Sequence, residues 1–151
     1  MTVYLIRHAH AGARSAWNDD DRLRPLSPKG NRTAEAIAGA LGDRPVVRVL
    51  SSPAVRCIET IEPLAAKVGQ PIETSEPLAE GGDAVEVIRL MRSHAGGDLA
   101  MCSHGDVIPE VIEILARSGV DIAGDVGNRK GSFWAIELNG SSSSARYHDR
   151  A

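Results

Sequence analysis

The chain has 151 residues, of which 42% are hydrophobic, and this length and composition are ordinary for one globular domain. Its net charge of −3 excludes the basic excess of a protein that binds a nucleic-acid polymer, and no apolar run approaches the roughly 18 residues of a membrane span. Two cysteines, Cys57 and Cys102, are too few for a disulfide scaffold and are expected to be buried thiols. Since the first residues also lack a signal-peptide pattern, we expect a single cytoplasmic domain over residues 1–151.

The first half of the chain alternates predicted strands with predicted helices. Residues 2–7 are β-branched and apolar and predict a strand, which a polar loop over residues 9–26 follows; this loop is long for a compact domain. Ser27 as N-cap and Pro28 as first helical residue start a helix that ends near Gly42. The next predicted elements are a strand over Val46–Leu50, a helix between Pro53 and Gly69, and a short edge strand over residues 71–74.

The second half continues the same alternation. Pro63, inside the second predicted helix, predicts a kink or a break there. The remaining predicted elements are a helix over 83–93, a strand over Leu99–Ser103, a helix over 106–117, a Gly- and Asp-rich connection over 118–130, a strand over Ser132–Leu138 and a flexible turn at Ser141–Ser144. Strands that alternate with helices of this length predict an α/β fold, namely a three-layer α/β/α sandwich whose mainly parallel sheet has an antiparallel edge strand.

Cationic and imidazole side chains follow three of the predicted strands. Arg7 and His8 end the first strand, Arg56 lies shortly after the second, and His104 follows the strand that ends at Ser103. Ligands of such sheets bind beyond the carboxyl ends of the strands, so these residues are expected to converge on one edge of the sheet. The sequence therefore predicts a cationic pocket that holds two imidazoles and two guanidinium groups.

This pocket has the groups that phosphoryl transfer through histidine requires. A neutral imidazole at His8 attacks phosphorus if its other nitrogen is held as an N–H donor. Arg7 and Arg56 can hold the phosphoryl oxygens with bidentate, charge-assisted hydrogen bonds, and His104 adds a further donor. The helix that begins near Asp106 adds its N-terminal dipole. We therefore expect a covalent phosphohistidine at His8.

Two other classes of function fit part of the same pattern. A metal site at His8, His10 and His104 is disfavoured, because Arg7 and Arg56 would repel a cation and no carboxylate cluster accompanies the histidines. A non-catalytic phosphate-binding interaction module needs only the cations, so the presence of His8 argues against it. Labelling of the protein by a substrate separates these alternatives.

Four segments carry a family resemblance that spans nearly the whole chain. They are Leu-Ile-Arg-His-Ala (5–9), Arg-Pro-Leu-Ser (24–27) with Lys-Gly (29–30), Ser-Ser-Pro-Ala-Val-Arg-Cys-Ile-Glu-Thr (51–60) and Ser-His-Gly (103–105). Together they resemble the histidine phosphatase superfamily, which includes the phosphoglycerate mutases. The small size and the Arg-Pro-Leu-Ser segment resemble the compact branch of SixA-type phosphohistidine phosphatases, and also the phosphatase domain fused behind some Nudix hydrolases.

The resemblance implies a phosphoglycerate mutase-like fold and a role for each motif residue. It implies that His8 is the phosphorylated nucleophile, that Arg7, Arg56 and His104 complete the phosphate pocket, and that neither metal nor organic cofactor is required. Glu80 matches the family position of the general acid. The mutases have Gly, then Ser and Asn, after the nucleophile, whereas this chain has Ala-His-Ala-Gly, so hydrolysis is expected rather than mutase activity.

Several residues near these motifs keep two interpretations. Asp106 is the alternative general acid, and Arg24 is a candidate for the phosphate pocket. Trp17 either stacks on a ligand or holds its own loop. Lys130 reaches the pocket if the last strand is antiparallel, and is otherwise a solvated lysine. The run Asp19–Asp21 is interpreted as a solvated turn.

The sequence indicates a class of substrate rather than a single compound. A phosphohistidine protein, a phosphomonoester and a nucleotide all fit, and a nucleoside diphosphate phosphatase is one alternative. The expected partner is therefore a phosphorylated small molecule or a phosphoprotein, with no nucleic-acid polymer and no membrane. The oligomeric state is left open.

Overall fold

The computed structural model describes residues 1–151 and places seven strands in one sheet. The strands are β1 (Thr2–Arg7), β2 (Val46–Ser51), β3 (Ile72–Thr74), β4 (Asp98–Ser103), β5 (Asp121–Ala123), β6 (Phe133–Glu137) and β7 (Ser144–His148). Their order across the sheet is β3-β2-β4-β1-β6-β7-β5. β6 pairs antiparallel with β1 and with β7, and all other pairs are parallel. The predicted mainly parallel sheet with an antiparallel element is confirmed.

Four helices cover the sheet: α1 (Pro28–Leu41), α2 (Val55–Val68), α3 (Ala84–Ser93) and α4 (Val107–Arg117). The α1 start agrees with the prediction, because the Ser27 side chain accepts from the backbone N–H of Gly30 and caps the helix. Pro63 lies inside α2, but the helix continues to Val68, so the predicted break is wrong. The apolar face of α2 stays buried on the sheet, and this packing outweighs the hydrogen bond that proline cannot donate.

The alternation of side chains along β1 explains the three layers. Val3 and Leu5 are fully buried in one apolar cluster, together with residues of α3 and α4. Tyr4 and Ile6 point the other way and are buried in a second cluster, together with residues of α1 and α2. Because successive strand residues face opposite sides of a sheet, this central strand needs a helical layer on each side.

Two strands at one side of the sheet were absent from the sequence prediction. The connection over 118–130 contains β5, and the predicted turn at Ser141–Ser144 leads directly into β7. Ala145 is the one β7 residue that is fully buried, so this strand carries little hydrophobic pattern of its own. β7 forms because it pairs with β6 across a short connection, and β5 forms because it pairs with β7, which lies beyond β6 in the chain.

The three motif-bearing strands are neighbours at the centre of the sheet. β1 and β2 both pair in parallel with β4, so the carboxyl ends of all three meet at one edge. The long loop after β1 covers this edge and contains two short 3₁₀ turns, at Arg14–Ala16 and Asp21–Leu23. Trp17 donates from Nε1 to the carbonyl of Asp20 and so holds this loop. None of the helices combines the length and apolarity that a membrane crossing requires.

Candidate active site

His8 lies one residue beyond β1, and its imidazole is buried with 6% of its surface exposed. Its backbone N–H donates to the carbonyl of Ser103, so the pairing of β1 with β4 positions the residue. The ring atom Nδ1 lies 2.8 Å from the carbonyl oxygen of Ala9. A carbonyl only accepts, so this contact assigns the proton to Nδ1 and leaves the lone pair on Nε2. The imidazole is therefore in the tautomer that a nucleophilic Nε2 requires.

The surroundings of His8 keep this ring neutral. Burial lowers its pKa to about 3, with smaller contributions from the charges of His104, Arg56 and Arg7, while the hydrogen bond to Ala9 acts in the opposite direction. A protonated ring has no free lone pair. The low pKa thus preserves the nucleophile over the physiological pH range.

The same low pKa predicts a pH-dependent cost in stability. Below pH 6.5 the unfolded chain binds a proton at His8 that the folded protein excludes until about pH 3. In this window the free energy of unfolding of the wild type is expected to fall with decreasing pH by about 1.4 kcal/mol per pH unit more than that of His8→Gln. Urea unfolding of both proteins between about pH 7 and pH 4.5 measures the difference. Parallel curves would contradict the buried neutral imidazole.

Arg56 and Arg7 each have an unused donor at the site. Arg56, in the first turn of α2, is 2% exposed, and Arg7 packs its guanidinium against Gly105, where a Cβ atom would lie 2.6 Å from Arg7 Cζ. The Nε–H groups of both arginines are buried without a hydrogen-bond partner. Unsatisfied buried donors are rare in proteins, and here they belong to two cations beside the same imidazole.

His104 completes the group of imidazoles and guanidiniums. Its ring centroid is 5.3 Å from that of His8. Ser52 holds the ring, since Ser52 Oγ lies 2.8 Å from His104 Nε2, while His104 Nδ1 lies 3.5 Å from Nη2 of Arg56. The structure thus brings together the four residues on which the sequence prediction depended.

Asp21 organises the arginines of the site, a role that the sequence interpretation missed. Its Oδ2 lies 3.1 Å from Nη2 of Arg56, and its Oδ1 lies 3.0 Å from Nε of Arg24 and 3.3 Å from Nε of Arg14. Burial acts to raise the pKa of Asp21, but the hydrogen bond from Arg24 and the charges of the three arginines outweigh it, and the pKa is lowered. The solvated-turn interpretation is wrong for this residue. The spacing of Asp21 three residues before Arg24 was the available signal.

The two candidate acids occupy different environments. Glu80 accepts from Arg14 at 2.8 Å and faces Nη2 of Arg56 at 3.4 Å, so its oxygens face the cationic pocket. Asp106 accepts from the backbone N–H groups of Gly81 and Val107, at 2.7 and 2.9 Å, and caps α4. Glu80 is therefore the better placed of the two to meet a leaving group.

A cavity of about 320 Å³ joins these residues. Its lining contains all six predicted site residues, which are Arg7, His8, Arg24, Arg56, Glu80 and His104. Lys130 also lines it, because β6 runs antiparallel to β1 and so begins where β1 ends. Burial lowers the pKa of Lys130, and the charges of Arg7, Arg24 and Arg56 lower it further, although the residue is still exposed to solvent.

Comparison with known proteins identifies the family. The family model of the histidine phosphatase superfamily (branch 1) matches residues 3–86, more than half of the chain. Over 143 residues the chain is 36% identical to an 8-oxo-(d)GTP phosphatase of Mycolicibacterium smegmatis, and the match covers 91% of this chain and 44% of that protein. The chain thus spans less than half the length of the curated relatives it matches.

Solved structures show the same fold. The protein histidine phosphatase SixA, complexed with tungstate, aligns with a TM-score of 0.77 at 20% identity, over 98% of this chain and 94% of its own. YhfR of Bacillus stearothermophilus aligns with a TM-score of 0.78 at 16% identity, over 99% and 97% of the two chains. These alignments confirm the predicted fold class, a phosphoglycerate mutase-like sandwich. The chain belongs to the histidine phosphatase superfamily, and it has the compact fold of the SixA-type members.

Proposed function

We propose that this protein is a phosphatase that hydrolyses a phosphorylated substrate through a covalent phosphohistidine at His8. The observation that carries the proposal is the buried imidazole whose Nδ1 is held by Ala9 while Nε2 is left free. Around it, Arg7, Arg56 and His104 line one cavity of a size suited to a phosphoryl group and part of its substituent. A site that only bound phosphate would need the cations but not this tautomer.

The reaction divides into two displacements at phosphorus. In the first, Nε2 of His8 forms a bond to phosphorus while the bond from phosphorus to the leaving-group oxygen breaks, and that oxygen keeps the electron pair. In the second, water attacks phosphorus, the bond to Nε2 breaks, and inorganic phosphate leaves. Arg7 and Arg56 hold the equatorial oxygens in both steps, where their charges stabilise the transition state.

Proton transfer is assigned to Glu80 in this proposal. Its carboxyl group gives a proton to a basic leaving group in the first step and takes one from water in the second. Asp106 is the alternative acid, although its carboxylate oxygens already cap α4 and accept a hydrogen bond from the backbone N–H of Gly81. A leaving group that departs as a stable anion needs neither acid.

The proposal includes neither a metal nor an organic cofactor. The described residues form no group of three or more His, Cys, Asp or Glu side chains placed to hold a metal ion. In the proposed reaction the arginines of the cavity stabilise the transition-state charge that a metal ion would otherwise stabilise.

The substrate class follows from the open cavity and from the relatives. One relative is named an 8-oxo-(d)GTP phosphatase and one structural neighbour a protein histidine phosphatase, so a nucleotide and a phosphohistidine protein are both candidate substrates. The continuous sheet, which joins β1 to β7, supports the assignment of residues 1–151 as one domain. The buried free thiols of Cys57 and Cys102 fit a cytoplasmic location.

Trapping of the phosphoenzyme tests the proposed function. Wild-type protein is mixed with a substrate labelled in its terminal phosphate and quenched in alkaline detergent, which preserves phosphohistidine. Label is expected on the protein, stable in alkali, lost in brief acid and mapped to the peptide that contains His8. Hydrolysis without any labelled protein would contradict the covalent step. Phosphate binding with neither label nor hydrolysis would establish a binding module instead.

A further inference from the structure

A second and larger cavity adjoins the catalytic one. It has a volume of about 620 Å³ and lies between the first turns of α1, the segment before β6 and the residues after β7. Lys130 lines both cavities, so the two adjoin at this side chain. The backbone N–H of Gly131 donates to the carbonyls of Arg7 and His8, which fixes the shared segment beside the nucleophile. A substrate that occupies the catalytic cavity can therefore extend past Lys130 into the second one.

The lining of the second cavity is strongly cationic. Its cations come from three separate segments of the chain: Lys29, Arg32, Arg129, Lys130 and Arg150. The lining also contains the carboxylate side chain of Asp149, which forms an ion pair with Arg129 at 3.1 Å. In a chain whose net charge is −3, this is a local excess of positive charge. Such a concave surface favours a ligand with several negative charges.

The cations of the second cavity differ from those of the catalytic cavity in their pairing. In the catalytic cavity Arg14, Arg24 and Arg56 pair with Asp21 or Glu80. In the second cavity four cations make no ion pair and donate no side-chain hydrogen bond, namely Lys29, Arg32, Lys130 and Arg150. The lining contains no Phe, Tyr or Trp side chain on which a base could stack. Its chemistry thus fits phosphate groups better than an apolar or aromatic group.

We propose that the second cavity binds further phosphate groups of the substrate, and that the preferred substrates are small molecules with two or more phosphates, of which His8 removes the terminal one. The inference rests on the proposed function. Lys29 and Arg32 would contact the non-reacting phosphates, and Lys130 would bridge them to the scissile phosphoryl group. A nucleoside diphosphate or triphosphate belongs to this class.

The position of Glu80 is consistent with such a leaving group. Both of its oxygens accept from guanidinium groups, those of Arg14 and Arg56, and the proton transfer assigned to Glu80 is needed only for a basic leaving group. When a phosphoanhydride bond breaks, the bridging oxygen leaves as part of a phosphate anion and needs no proton in that step. The unpaired cations beside Lys130 neutralise this departing charge.

A comparison of AMP with ADP tests the inference. The two substrates share one nucleoside and differ by one phosphate, and their hydrolysis is followed by chromatography of the nucleotide products. For the wild type, kcat/KM is expected to be about tenfold or more higher for ADP than for AMP, because charge-assisted hydrogen bonds hold the second phosphate. In the double variant Lys29→Gln/Arg32→Gln this ratio is expected to fall below about threefold, while AMP hydrolysis is retained, since neither side chain lines the catalytic cavity.

A matched control removes the same charge elsewhere. Lys67 on α2 and Arg92 on α3 are exposed, form no ion pair and line neither cavity, so Lys67→Gln/Arg92→Gln is expected to keep the wild-type ratio. Equal rates on AMP and ADP in the wild type would overturn the inference and leave the proposed function intact. Loss of activity on a phosphohistidine protein alone, in the Lys29/Arg32 variant, would also overturn it and assign the surface to a protein.

A binding measurement separates this inference from the proposed function. Calorimetric titration of tripolyphosphate needs no turnover. The dissociation constant is expected to rise about tenfold in Lys29→Gln/Arg32→Gln relative to the wild type, with orthophosphate affinity unchanged. If no substrate were hydrolysed, this difference would still establish the second site. Equal tripolyphosphate affinity in the two proteins would refute it.

Discussion

The His8→Ala variant is expected to lose hydrolysis of every phosphorylated substrate by about 10⁴-fold or more, while it still binds phosphate. The substitution removes the atom that forms the bond to phosphorus, and the ring nitrogens of His104, the other imidazole of the cavity, face Ser52 and Arg56. The cations that bind the phosphoryl oxygens remain, because Arg7 and Arg56 are held by contacts independent of His8. Rates are measured with a chromogenic phosphomonoester, and phosphate affinity by calorimetry.

His94→Gln is the matched control for this variant. His94 follows α3, and its Nε2 lies 2.9 Å from the carbonyl of Gly97, outside the catalytic cavity. It is expected to keep wild-type rates and to form the phosphoenzyme normally. Since His8 is buried, unfolding curves verify that His8→Ala is folded. A folded His8→Ala protein that retained more than about a tenth of the activity would exclude His8 as the nucleophile.

Replacement of Arg56 by lysine is expected to reduce kcat/KM by about 10² to 10³-fold, although the positive charge is kept. The guanidinium of Arg56 contacts the carbonyl and the carboxylate of Asp21 through its terminal nitrogens, and the residue also lines the catalytic cavity. A lysine ammonium is a single point of charge and cannot keep these contacts while it also donates to two phosphoryl oxygens. We expect the loss mainly in kcat, because the planar N–H donors of the guanidinium group match the equatorial oxygens of the transition state.

Arg48→Lys controls for the same chemical change at another arginine. Arg48 on β2 makes a two-pronged contact with Glu73 on the edge strand β3, at 3.0 and 3.2 Å. This variant is expected to keep full activity, since it lines neither cavity. If Arg56→Lys were folded and its kcat/KM lay within about threefold of the wild type, the guanidinium geometry of Arg56 would not contribute to transition-state stabilisation.

The arrangement of carboxylates explains how the cationic site stays ordered before substrate arrives. Asp21 contacts three arginines and Glu80 contacts two of them. These pairs hold the guanidinium groups of Arg56 and Arg24 in place and offset their mutual repulsion. The guanidinium groups are thus positioned before substrate binds. The conformational freedom that these side chains lose on substrate binding is correspondingly small.

The amino-acid sequence by itself determined the elements that carry the chemistry. The apolar runs that end at Arg7–His8 and Ser103–His104 form strands, and the Ser27-Pro28 start of α1 and the Gly69 end of α2 occur where local backbone preferences place them. These signals are local, since N-caps, left-handed glycines and buried strands depend on a few adjacent residues. The parallel topology then brings the motif residues to one edge.

Only the tertiary structure decided the parts that depend on partners distant in the chain. The strand β7 has little hydrophobic pattern and forms because β6 and β5 pair with it. Asp21 is one of three consecutive aspartates, and its role comes from the arginines that α2 and the long loop bring to it. Lys130 lines the catalytic cavity because β6 is antiparallel to β1. The second cavity exists because the start of α1, the segment before β6 and the residues after β7 lie side by side. Electrostatic energies depend on distance in space, and spacing along the chain does not provide that distance.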